Sequence, residues 1–153
     1  MRKKEREIRD FADIVDVLRR CDTVRMGICG GEYPYVVPLS FGYEVADGKL
    51  VLYVHGAGEG KKHDLLARSN RVCVEADLCH RFVDTGVSVT AEYESVIGYG
   101  TAEKAAGADA EKGIALLLEH CGFAGHPCSP EAFPNLTVYR IALESVTGKR
   151  RMI

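Results

Sequence analysis

Between Thr23 and His55 the apolar residues recur with a period of two and are cut into short runs by turn residues, which excludes a helical architecture for this stretch of the chain. Val24, Met26 and Ile28 share one face of a strand, and Gly30-Gly31 supplies the turn after it. A second strand is predicted from about Tyr35 to Tyr43, an Ala46-Asp47-Gly48 turn closes it, and Lys49 to His55 is a third. Three consecutive strands with tight turns read as an antiparallel meander. Further strands are expected at Val72–Ala76, at about Val87–Ala102 and at Leu136–Leu143.

Helical spacing appears in three places. Asp10 can accept from the free N–H groups of a first turn, and Phe11, Ile14, Val15 and Leu18 then form an apolar stripe. A short helix is predicted from His63 to Arg68, and a longer one from Asp109 with Ile114, Leu117, Leu118 and Cys121 on its apolar face. A Pro- and Gly-rich loop, Gly122 to Pro134, follows. Helices inserted between strands, rather than one after each strand, favour an α+β antiparallel barrel of about six strands over a parallel doubly wound sheet.

Composition narrows the partners. A chain of 153 residues, 46% hydrophobic and 27% charged, fits one domain over residues 1–153. A net charge of −2 argues against nucleic acid, whose phosphates need a surplus of Lys and Arg. No window resembles a membrane span, and the charged stretch Met1 to Asp10 has no apolar segment behind it to act as a signal, so a cytoplasmic protein with its six cysteines as thiols is expected. His120, Cys121, His126 and Cys128 have zinc-compatible side chains but lack knuckle spacing, and they read as a polar loop with no metal.

Chemistry concentrates at His55-Gly-Ala-Gly-Glu-Gly-Lys-Lys62, where a strand gives way to a helix. Glycines let a backbone approach a ligand, a helix N-terminus offers free N–H groups, and two lysines complete a phosphate site. The alternative is a flexible loop with solvated lysines. The run is too short for a Walker A loop, and no dinucleotide fingerprint occurs. Pro38 interrupts the apolar run Tyr35 to Tyr43 and marks an edge or a bulge, where Leu39 and Phe41 can offer backbone groups or faces to a planar ring.

These segments occur in order with Asn70-Arg-Val-Cys-Val-Glu75 and Ser95-Val-Ile-Gly-Tyr-Gly-x-Ala-Glu103, and together they resemble the Nim family of 5-nitroimidazole resistance proteins, within the pyridoxamine 5′-phosphate oxidase-like split barrels. The resemblance implies a six-stranded split barrel that forms a homodimer with FMN between subunits. It puts Lys61 and Lys62 at the flavin phosphate, Gly60 where a serine is usual, and His55 and Gly56 where a Tyr-Thr pair contacts the cofactor. Pro38, Leu39, Ser40 and Phe41 would line the ring, and Ser95 would add a polar contact to the flavin bound mainly by the other subunit. The oxidases' C-terminal Arg-His motif is not found, which argues against vitamin B6 oxidation. The implied activity is flavin-dependent reduction of a nitroaromatic or similar small acceptor, with His55 as the catalytic residue. Two alternatives stand beside it: a haem-binding or haem-degrading barrel with His55 as axial ligand, and a flavin sensor or storage module, with FAD possible in place of FMN.

Overall fold

The computed structural model describes residues 2–127 and 135–153. Eight strands form one antiparallel sheet: β1 (Glu7–Ile8), β2 (Val24–Ile28), β3 (Tyr35–Leu39), β4 (Phe41–Ala46), β5 (Lys49–Ala57), β6 (Arg71–Asp84), β7 (Val89–Lys104) and β8 (Leu136–Arg151). Three helices accompany them: α1 (Phe11–Arg19), α2 (Lys61–Arg68) and α3 (Ala108–His120).

The count of eight corrects the six expected, and the difference lies in two places. The predicted strand Tyr35 to Tyr43 divides at Ser40, because β3 pairs with β2 while β4 pairs with β5. The two-residue β1 adds itself to β8. The simple meander fails for the same reason. In the strand order β3-β2-β6-β7-β8-β5-β4, the two ends are consecutive in the chain and joined by Ser40 alone. A sheet whose opposite edges meet at one residue must curl round on itself, which makes it a barrel left unlaced between β3 and β4. Pro38 lies in β3, an edge strand facing only β2, where its missing N–H breaks no second ladder.

Strands β6 and β8 run longer than their apolar cores suggested, at 14 and 16 residues, while β7 has the expected 16, displaced two positions along the chain. Their outer segments mix charged residues with exposed apolar ones such as Phe82 and Val89, and remain laddered to one another. Glu94 on β7 is buried there, and it accepts from Arg20, His80 and Arg150 at 2.6, 3.0 and 2.5 Å. The bond from Arg20 is the largest influence holding its carboxyl down to about 2.

The barrel interior takes Val24, Met26 and Ile28 from β2 and Leu50, Leu52 and Val54 from β5. Helix α1 adds Ile14, Val17 and Leu18, and its N-cap is Asp10, which accepts from Ala12 N at 2.9 Å as expected. Helix α2 adds Leu65 and Leu66. Helix α3 lies on the other side of β5, with Ala110 and Ile114 against Val51, Tyr53 and Val138. The buried line of α3 is Ala110, Gly113, Ile114 and Leu117, so Cys121, expected on that face, falls past the helix end and is exposed. No described helix is long and apolar enough to cross a membrane.

Candidate functional site

The register gathers most of the candidate residues at one corner of the barrel. Phe41 pairs with Val54, so Ser40 stands level with His55 where the edges of the sheet meet. Strand β5 continues through His55, Gly56 and Ala57, and α2 begins at Lys61, two residues earlier than its apolar residues indicated. Gly58 and Gly60 have no atom within 4 Å of where a side chain would begin, and Gly60 has φ 121°, a region that favours glycine. The loop is thus an exposed backbone ending at the N-terminus of an eight-residue helix.

The two lysines have different surroundings. Lys61 is exposed, with Nζ 5.1 Å from the centre of the Tyr35 ring. Lys62 is half-buried and donates to the His55 carbonyl at 3.3 Å. Its ammonium occupies the space that a Cβ on Gly56 would fill, so a side chain there would displace it. Burial lowers the Lys62 pKa, and the one hydrogen bond leaves two of its three donors unspent.

His55 lies on the other face of the strand. Leu50, Leu52 and Val54 face the barrel and Val51 and Tyr53 face α3, so alternation assigns Gly56 to the first side and His55 to the second. Its Nδ1 is buried and has no hydrogen-bond partner among the described residues. Burial, and secondarily the charge of Lys62, lower the imidazole pKa below the ordinary value. Both influences favour the neutral form of the ring. A neutral imidazole holds an oxygen by donating one N–H; it is not a standing imidazolium.

The remaining candidates divide. Leu39 is half-buried, Pro38 and Ser40 are exposed, and all three are open to a ligand. Phe41 is not: its ring is fully buried, 4.4 Å from the His120 ring, so it serves the core and leaves only main-chain groups for a ligand. Ser95 is remote from His55 within one chain. Val138 on β8 pairs with His55 and Lys149 pairs with Ser95, and the strand between those levels is about 35 Å long. His120 bonds the Cys21 carbonyl at 2.8 Å and so braces α3, while Cys128 lies outside the described residues. Among the described residues no group of three or more His, Cys, Asp or Glu side chains could hold a metal.

Two contacts escaped the sequence reading. Tyr35 was assigned only to a strand, and the pair His63–Tyr139, with His63 Nδ1 2.8 Å from Tyr139 Oη, was not recognised. The available signal was a histidine on the same helical face as Leu66, where a leucine would pack at less cost.

A curled antiparallel sheet with an open seam, and a glycine-lined strand-to-helix loop beside that seam, define a split-barrel protein. A model of pyridoxamine 5′-phosphate oxidase matches residues 10–150, and the chain belongs to that family. Among solved structures it is similar to a candidate 5-nitroimidazole antibiotic resistance protein from Bacteroides thetaiotaomicron, at 30% identity over 94% of this chain and 85% of that one, with a TM-score of 0.82. It shares its fold with an FAD-binding protein from Mesorhizobium loti, at 22% identity over 96% and 98% of the two chains and TM-score 0.69. The same holds for an FAD and haem binding protein from Mycobacterium smegmatis, at 17% identity over 97% and 74% and TM-score 0.79. No curated protein sequence matches the chain.

Proposed function

We propose that the protein binds FMN at the β5–α2 corner and reduces nitroaromatic compounds of the 5-nitroimidazole type. The observation that carries this reading is the unpartnered, buried Nδ1 of His55 beside an open glycine loop with two lysines. A buried nitrogen without a partner costs stability, and a ligand that bonds it recovers that cost. Lys61, Lys62 and the free N–H groups of the loop and the first turn of α2 suit a phosphate, and Gly60 leaves it room. Ser40, Leu39 and the Pro38 backbone suit the edge of a planar ring. A reduced flavin bound there supplies the electrons for nitro reduction. The chain's own part is to hold the nitro oxygen on the His55 N–H and to offset negative charge with Lys62.

The likeness to a candidate resistance protein supports the substrate class, and that to FAD-binding relatives supports a flavin. A haem reading draws on the FAD and haem binding relative. The absorption spectrum of freshly purified protein separates the two. Flavin bands are expected, with the dithionite-reduced flavin reoxidised faster by a nitroimidazole than by oxygen; a Soret band, or reoxidation by oxygen alone, would overturn the reading.

The same reading includes a homodimer. Cys73 on β6 and Ile97 and Tyr99 on β7 alternate away from the barrel interior onto a face that no helix among the described residues covers, and Tyr99 is 57% exposed. Beside them Ser95, Ile97, Thr147 and Lys149 line a shallow cavity of about 270 Å³. A second copy seated on this face would bury the apolar patch and bring its Ser95 to a flavin that its own His55 cannot reach. Ile97→Asp places a charge at the centre of that contact, and sedimentation should show a monomer that has lost its flavin. A wild-type monomer with full flavin occupancy would contradict the dimer.

A further inference from the structure

The geometry points to His63 and Tyr139 as a positioning pair that holds the Gly58–Lys62 loop in its phosphate-receiving form and so makes the site select phosphorylated flavins over riboflavin. This rests on the FMN reading above and adds a specificity determinant outside the ligand's reach.

A glycine-rich loop is a poor anion receptor unless something else fixes it. Ordering a free residue costs conformational entropy, and glycine loses the most. Gly58 and Gly60 have no neighbours of their own to pack against. The near end is held by the ladder, where Ala57 pairs with Leu136 on β8, and the far end is held by His63. The His63 main-chain N–H donates to the Gly60 carbonyl at 2.9 Å, at the loop's far end. The His63 ring is buried. The same ring is tied by Nδ1 to Tyr139 Oη at 2.8 Å.

Tyr139 is an anchor suited to that work. It is 2% exposed, it pairs in register with Val54, and its ring packs 5.5 Å from that of His63. His63 itself is 9% exposed. Burial alone would favour an apolar residue here, since α2 turns Leu65 and Leu66 into the same core. A buried imidazole bonded to Tyr139 is a linker between α2 and β8. With the ring neutral, the state that burial favours, Nδ1 receives the tyrosine proton.

The test uses the full-length protein with FMN and riboflavin as probes, following the quenching of flavin fluorescence. Tyr139→Phe removes one oxygen and keeps the packing, and His63→Gln keeps a polar side chain without the ring. Either variant should lose about tenfold of the FMN preference, because a loop no longer ordered in advance must be ordered by the ligand. Riboflavin affinity should stay within about twofold and certifies that each variant is folded. The double variant should lose little more than either single one, since both act through one linkage. A purely structural pair would weaken both ligands alike or neither, and that result overturns the inference. If the wild-type protein takes FMN and riboflavin equally, the phosphate loop fails and this role fails with it. If the wild type prefers FMN and Tyr139→Phe keeps that preference, only the pair is refuted.

Discussion

His55→Ala should retain flavin and fold while losing about 10²–10⁴-fold in nitroimidazole-dependent turnover, the range over which a positioned proton-donating side chain contributes. The structure sharpens the stability half of this expectation. Nδ1 is buried without a partner, so truncation removes an unpaid desolvation cost, and the melting temperature should hold or rise. The link from Lys62 ends on the His55 main-chain carbonyl, so alanine leaves the loop's attachment in place. A histidine kept for packing would show the opposite pattern, with lower melting temperature and unchanged turnover per folded molecule. A haem ligand would show a third, in which haem binding is abolished. Flavin content, turnover and melting temperature measured together on this variant separate the three, and unchanged turnover with intact flavin would remove His55 from the chemistry.

The sequence disclosed those features of the fold whose physics is local. Asp10 capping α1 and the alternation of Val24, Met26 and Ile28 depend on neighbours a few residues away, and both appear as read. Pro38 marked an edge strand because a missing N–H is a property of one residue. What stayed hidden depends on which strands meet. Nothing near Ser40 states that β3 and β4 part to opposite edges of the sheet, since that follows from their pairing with β2 and β5. The site divides along the same line. The loop from His55 to Lys62 was legible because its residues are contiguous, whereas Tyr139 lies 76 positions from His63 in the chain and is joined to it only by the closure of β5 onto β8. Phe41 was read as offering either its backbone or its face to a ligand, since an apolar ring suits a ligand wall and a core equally; the His120 ring tilted against it at 4.4 Å places the side chain in the core and leaves the main chain for a ligand.

Replacing Lys61 and Lys62 together with alanine should weaken FMN far more than riboflavin, because only FMN carries the phosphate. Hydrogen bonds assisted by a full charge contribute about 1.5–3 kcal/mol each, so two of them amount to about 10²–10⁴-fold in FMN affinity, with riboflavin nearly unchanged. The single variants should differ in their side effects. Lys61 is exposed and leans on the Tyr35 ring, so Lys61→Ala should act on FMN affinity alone and lose more of its effect as salt is added. Lys62 is half-buried against Gly56 and lowers the His55 pKa, so Lys62→Ala should also move the His55 titration upward, a change that NMR of the imidazole protons can follow. The sign follows from the charge: a nearby cation disfavours imidazolium, and its removal lets His55 protonate at higher pH. Equal weakening of FMN and riboflavin in the double variant would take both lysines out of the phosphate site. A His55 titration unmoved by Lys62→Ala would leave burial as its only perturbation.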